Sequence, residues 1–185
     1  FRCAGFDLLT EKDDGSQYGF KAAADPSSGQ YRLAGEIDGL FLSAPAEVAC
    51  LGIFPTPCLW ESKKATHKKC TKFRKQGVAK ADPKYHGQMQ TNMAYLEVGH
   101  TLFTMLDLDN MKFYMEMVAF DPVAAQRLTD RALRVFDTRE PEEMPRIARE
   151  ASDFRCKFCD YAGRCWEPAA PTGRAVDKPT WLMGT

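Results

Sequence analysis

Asp38, Glu61 and Lys63 are the residues whose types and spacing could do chemistry. Asp38 stands in Gly-Glu-Ile-Asp-Gly-Leu (35–40), and the other two in Cys-Leu-Trp-Glu-Ser-Lys-Lys (58–64). Both stretches read as strands. In the first, Tyr31, Leu33 and Ile37 fall on one face and Glu36 and Asp38 on the other. In the second, Glu61 and Lys63 share a face because they are two apart, while Ser62 points away. If the strands pair, Asp38, Glu61 and Lys63 converge at one sheet edge. Two carboxylates can hold a hard divalent cation, which prefers oxygen ligands. A lysine beside them can offset negative charge or orient a water. That is a kit for metal-assisted hydrolysis of a phosphodiester. Acidic and basic pairs this short also occur on many solvated strands, so the surroundings must decide.

The elements that would position these residues follow from pattern and turn chemistry. A first strand is expected at 6–10, a second at 18–23 and a third at 30–41, joined by turns at Asp13-Asp14-Gly15-Ser16 and Asp25-Pro26-Ser27-Ser28-Gly29. This spacing predicts an antiparallel meander. Pro45, Gly52, Pro55 and Pro57 break the stretch 43–57, leaving a loop with at most a short strand near Val48–Leu51. A fourth strand covers 59–63. Met89, Met93 and Leu96 recur at helical spacing and predict a helix over 85–97, with Tyr85, Gln88, Asn92 and Tyr95 as a neighbouring polar and aromatic stripe. Two apolar runs, 101–106 and 111–120, flank Asp107-Leu108-Asp109-Asn110 and predict a hairpin. Asp121-Pro122 then opens a helix over 122–137, with Asp at the cap and Pro at the first helical position. The expected fold is α/β, a central mixed sheet flanked by helices, in one domain over 1–166 with an extended tail at 167–185.

Composition sets the class. The chain has 185 residues, enough for a domain with a sizeable core, and its 44% hydrophobic and 27% charged content is ordinary for a soluble globular protein. No apolar run approaches the roughly 20 residues that span a bilayer. Seven cysteines without a secretion signal fit a reducing compartment, the cytoplasm. The chain opens Phe-Arg-Cys without an initiator Met, as a piece of a longer protein would.

Net charge is zero, but its distribution is uneven. Residues 63–84 hold nine basic side chains and one acid, Asp82, for a local charge of +8. Such a block is commonly a mobile solvated connection, and that is the structural expectation for 64–84. It begins at the candidate lysine, where a polyanionic substrate would have to be held. Lys64, Lys68, Lys69 and Lys72 are therefore candidate phosphate contacts.

Cys156, Cys159 and Cys165 form a second cluster, C-x2-C-x5-C. Three cysteines within ten residues point to thiolate ligation, and zinc and iron–sulfur centres both accept thiolates. Either normally takes four ligands. The fourth would come from Cys3, Cys50, Cys58 or Cys70, or from outside this chain.

Together these residues resemble the PD-(D/E)xK nuclease superfamily, in its RecB-like and lambda-exonuclease-like (YqaJ) branches. The matching motifs are Gly-x-x-Asp-Gly at Gly35, Asp38 and Gly39, Glu-x-Lys at Glu61 and Lys63, and Tyr-x-x-Gln-x-Gln at Tyr85, Gln88 and Gln90. The cysteines resemble those of RecB-like nucleases that carry a four-cysteine iron–sulfur cluster. The chain departs from the pattern in the long interval between Asp38 and Glu61, and in lacking the helix that usually precedes the first strand.

The resemblance implies a restriction-endonuclease-like core and a metal-dependent deoxyribonuclease, an exonuclease of recombination, repair or phage DNA processing. It implies that Asp38, Glu61 and the Ser62 carbonyl bind Mg2+ or Mn2+, that Lys63 handles the attacking water, and that Gln88 and Tyr95 contact substrate or steady the site. Glu36 would add a further carboxylate. It favours [4Fe–4S] over zinc at the cysteines, with Cys3 as fourth ligand. DNA, and recombination or phage proteins, are the implied partners. The reading from another class is a non-catalytic DNA-binding or assembly module with the same fold.

Overall fold

The computed structural model describes residues 1–140 and 143–167. It contains two compact units, Phe1–Leu133 and a second that begins at Arg134. Of the expected tail, residues 168–185 lie outside the described part.

The first unit is built on a five-stranded sheet in the order β1 (Asp7–Leu9), β4 (Gly39–Ser43), β5 (Cys58–Ala65), β6 (His100–Asp107) and β7 (Lys112–Ala119). The pair β5–β6 is parallel and the other neighbours are antiparallel. A parallel pair needs a crossover. It is supplied by α2 (His67–Ala81) and α3 (Pro83–Leu96), which pack on one face of the sheet. The fold is thus α/β with a mixed central sheet flanked by helices, as expected. The hairpin strands β2 (Gly19–Ala24) and β3 (Tyr31–Glu36) form a separate small sheet against α3.

Three local expectations are corrected. The stretch 30–41 is not one strand. It breaks at Ile37–Asp38, because β3 pairs with β2 whereas β4 joins β1 and β5. The buried Ile37 anchors the break through its N–H to the Tyr18 carbonyl at 3.0 Å. Only β2 and β3 form the expected hairpin, so there is no three-stranded meander. Near Val48 there is one helical turn, α1 (Ala46–Ala49), instead of a strand, because Pro45 stands at its N-cap before good helix formers.

The largest correction is α2. The basic stretch 64–84 is not a loosely solvated connection but mostly helix. Cys70, Phe73, Val78 and Ala81 are buried on one side of it, and the lysines occupy the other. Helical geometry is interrupted at Gly77, whose φ of 70° and ψ of 166° suit glycine alone. Asp82 ends α2 and caps α3, accepting from the backbone N–H of Lys84 at 3.2 Å and Tyr85 at 3.4 Å.

The predicted helix at the end of the first unit is α4 (Pro122–Asp137), capped by Asp121 as expected. The boundary between the two units falls within it. Among the described residues, the second unit includes the short helices α5 (Phe154–Lys157) and α6 (Ala162–Trp166). Arg146 donates to the Cys165 carbonyl at 2.8 Å and lies 4.7 Å from the Trp166 ring centroid. No helix among the described residues is long and apolar enough to cross a membrane.

Candidate active site

β5 sets the geometry by alternation. Leu59 belongs to the core beneath α2 and α3, while Cys58 and Trp60 belong to the cluster on the opposite face. Glu61 and Lys63 follow Leu59 in phase, so they point toward the helices. Glu61 is 2% exposed as a result. Antiparallel pairing matches Gly39 with Trp60, which sets Asp38 opposite Glu61. The backbone N–H of Ser62 donates to Asp38 Oδ2 at 2.7 Å and fixes the aspartate across the strand pair.

The glycines on either side of Asp38 have a steric cause. A Cβ on Gly35 would lie 2.4 Å from Phe20 and 2.5 Å from Asn92 Oδ1 of α3. A Cβ on Gly39 would meet Leu8 at 2.9 Å and the Leu9 carbonyl at 3.0 Å. Only glycine lets the two flanks close on Asp38.

Lys63 pairs with Glu61 Oε1, and Gln88 of α3 donates to Oε2 at 3.4 Å. Oε1 is buried and, beyond the Lys63 ammonium, has no hydrogen-bond partner among the described residues. Burial pushes the Glu61 carboxyl above the usual glutamate range, Asp38 adds to the rise, and Lys63 only partly offsets it. Burial pulls Lys63 down, but the hydrogen bond and charge of Glu61 outweigh it and leave the ammonium above its ordinary value. The lysine therefore stays charged beside a carboxylate that burial disfavours, and an added cation would offset that burial.

Of the lysines singled out, Lys68, Lys69 and Lys72 line a groove of about 600 Å3 along α2, joined by Lys75. Lys64 alternates to the other face of β5 and is not part of that lining. Lys72 also donates to the Ala81 carbonyl at 2.7 Å. Tyr95 stacks on Phe20 at 4.4 Å and 7° and ties the β2–β3 hairpin to α3. Glu36 does not share a strand face with Asp38, because β3 ends between them; it is exposed, and its carbonyl accepts from Asn92 at 3.1 Å. Gln90 is structural, joining the Ala119 carbonyl at 3.0 Å to the Asp121 N–H at 2.7 Å.

No protein-family model matches the sequence, and no curated protein matches it. Among solved structures, the chain is similar to an alkaline exonuclease, LHK-Exo from Laribacter hongkongensis, free and in complex with dAMP. Each shows 17% identity and a TM-score of 0.40, over 65% of this chain and 56% and 55% of theirs. It is also similar to SSO0001, at 13% identity and a TM-score of 0.45, over 87% of this chain and 61% of that one. The chain thus spans less than two thirds of each. Likeness at this level carries no argument about function.

In the second unit, Cys156, Cys159 and Cys165 all line one small cavity of about 30 Å3, together with Arg146 and Trp166. The buried Trp166 Nε1 has no hydrogen-bond partner. Among the described residues, however, no three His, Cys, Asp or Glu side chains are grouped to hold a metal ion. Two of the proposed fourth ligands are buried within the first unit. Cys58 is fully buried, which pushes its thiol up to about 11, and Cys70 is packed in the main core. Cys3 and Cys50 are exposed.

Sequence reasoning missed the anchor of α2. Asp107 is 0% exposed at the end of β6 and accepts from His67 Nδ1 at 2.8 Å and the Asp109 N–H at 3.2 Å. Arg74 lies 3.6 Å from the same carboxylate. The spacing of Cys70, Phe73, Val78 and Ala81 was the available signal for the helix, masked by the lysines between them.

Proposed function

We propose that the chain is a metal-dependent nuclease that hydrolyses phosphodiester bonds of DNA. The observation that supports this most is the convergence of Asp38 and Glu61 across β4 and β5, with Lys63 on Glu61. The donor set suits Mg2+ or Mn2+: two carboxylates, one with a buried oxygen short of hydrogen bonds. Asp38, Glu61 and the Ser62 carbonyl would hold the ion. When bound, it supplies a polarised phosphate and an activated water. Lys63 orients the attacking water and offsets charge that develops on the phosphate. Gln88 steadies Glu61. Lys68, Lys69 and Lys72 hold phosphates along α2. The exonuclease assignment, and a place in recombination, repair or phage DNA processing, rest on the motif resemblance.

The test is cleavage of end-labelled linear DNA by the purified protein with Mg2+ or Mn2+. Glu61→Gln should abolish it while circular dichroism is unchanged. Cleavage that persists in excess chelator, or survives Glu61→Gln, would overturn the proposal. The basic groove needs no metal and by itself favours the second reading, a non-catalytic DNA-binding module. DNA binding without cleavage in either metal would select it.

A thiolate-held centre at Cys156, Cys159 and Cys165 belongs to the same proposal. Three thiols on one cavity fit such a centre by residue type, with [4Fe–4S] favoured over zinc by resemblance. Elemental analysis of anaerobically purified protein decides: iron with sulfide, zinc, or neither with all three thiols freely alkylated.

A further inference from the structure

Tyr85 has no part in the chemistry above, yet it touches both of its cationic components. It sits in the first turn of α3, fixed by the Asp82 cap. Its ring rests on the aromatic core, 6.2 Å from Phe73 and 6.0 Å from Phe103. Two ammonium groups stand over that ring. Lys63 Nζ is 5.6 Å from the centroid and Lys69 Nζ is 4.6 Å from it. Lys69 also donates to the Tyr85 hydroxyl at 3.4 Å and pairs with Asp82 at 3.2 Å.

From this geometry we infer that Tyr85 is a positioning residue: its ring holds the Lys63 ammonium at Glu61, and its hydroxyl holds Lys69 at the mouth of the α2 groove. The physical reason is the flexibility of lysine. A four-carbon stem leaves the ammonium many placements. The Glu61 pair draws it toward one atom, and the ring face adds a second attraction that is strong when partly desolvated. Because Phe73 and Phe103 back the ring, the platform does not yield. The same residue therefore sets the distance between the lysine that serves the reacting phosphate and a lysine that receives the adjoining strand. The kinetic part of this inference rests on the nuclease reading; the contact between Lys63 and the ring does not.

The two parts of Tyr85 are separable. Tyr85→Phe keeps the ring and removes the hydroxyl; it should raise KM several-fold and leave kcat within about twofold. Tyr85→Leu removes the ring and should lower kcat roughly tenfold. The readout independent of activity is the lysine side-chain NMR spectrum, with Lys63 assigned by the signal lost in Lys63→Arg. A ring face shields protons above it, so the Lys63 ε-protons should resonate upfield of free lysine in the wild type and in Tyr85→Phe, and return in Tyr85→Leu. If the leucine variant does not fold, the wild-type shift and the phenylalanine variant still decide. Unshifted Lys63 protons in the wild type, or an equal loss of kcat in both variants, would overturn the inference. A shifted Lys63 in a protein that cleaves nothing would uphold the contact and sink the nuclease reading instead.

Discussion

Lys63 and Gln88 each meet one oxygen of Glu61, yet they differ in what they can contribute. Lys63 brings a full charge into a half-buried position, held above its ordinary pKa by Glu61. Gln88 is an exposed neutral amide at 3.4 Å. Charge aimed at a developing oxyanion in a water-poor site is worth much more than one long neutral hydrogen bond. Lys63→Ala should therefore lower kcat by about 10²- to 10³-fold, and Gln88→Ala by less than about tenfold. Steady-state kinetics at matched metal concentration check both. Similar losses would mean that Gln88 acts on substrate directly rather than through Glu61.

Among the elements, α2 carries the most consequence. Its apolar side is core and its other side is a row of lysines, so helical order presents the charges as a groove rather than a cloud. Lys68 and Lys75 are exposed groove residues, while Lys69 and Lys72 also serve internal contacts. Replacing Lys68 and Lys75 with Glu should weaken DNA binding and flatten the plot of log K against log salt by about 1.5, from roughly 0.7–0.9 per phosphate contact. An unchanged slope would remove the groove from the binding surface.

The break at Gly77 aims the end of the helix. There the N–H of Val78 donates to Glu116 at 2.8 Å, and Tyr114 donates to the same carboxylate. An alanine at Gly77 would occupy a glycine-only conformation, and its Cβ would sit 3.4 Å from Glu116 Oε1. Gly77→Ala should cost about 1–3 kcal/mol, read from the midpoint of urea unfolding.

For the molecule as a whole, the two faces of the main sheet have separate tasks. One packs an aromatic cluster of Phe1, Phe6, Phe54 and Trp60 around the buried Phe41 and carries none of Asp38, Glu61 and Lys63. The other carries α2, α3 and the site. What fastens α2 to it is the buried Asp107. Burial would push that carboxyl up, but the His67 hydrogen bond, the Asp109 N–H and the charges of His67 and Arg74 outweigh it and leave it below the usual aspartate range. The folded state thus favours the carboxylate more than the unfolded chain does. Its contribution is complete above the ordinary aspartate value, about 3.9, and is lost as pH falls through the lowered one. Stability of the wild type should drop on acidification below about pH 4, and Asp107→Asn should start lower and show a shallower drop. Urea midpoints between pH 3 and 7 check it; parallel curves would show that Asp107 does not titrate on unfolding.

The sequence by itself determined the parts whose signal is local. Alternation along 58–65 put Glu61 and Lys63 on one face, the apolar spacing of Met89, Met93 and Leu96 made α3, and Asp121-Pro122 started α4. The glycines around Asp38 were legible as a motif, but not the contacts with Phe20, Asn92 and Leu8 that require them. Tertiary structure alone decided how the pieces meet. It split 30–41 between two sheets, because strand pairing depends on which distant edge is available and not on alternation. It made a helix of 67–81, because burying Cys70 and Phe73 in the core with Phe103 outweighs the cost of crowding lysines on the opposite side. It also set Tyr85 beneath Lys63 and Lys69, residues 22 and 16 positions away in sequence. No periodicity within a single element could report that contact, since it exists only once β5, α2 and α3 close on one another.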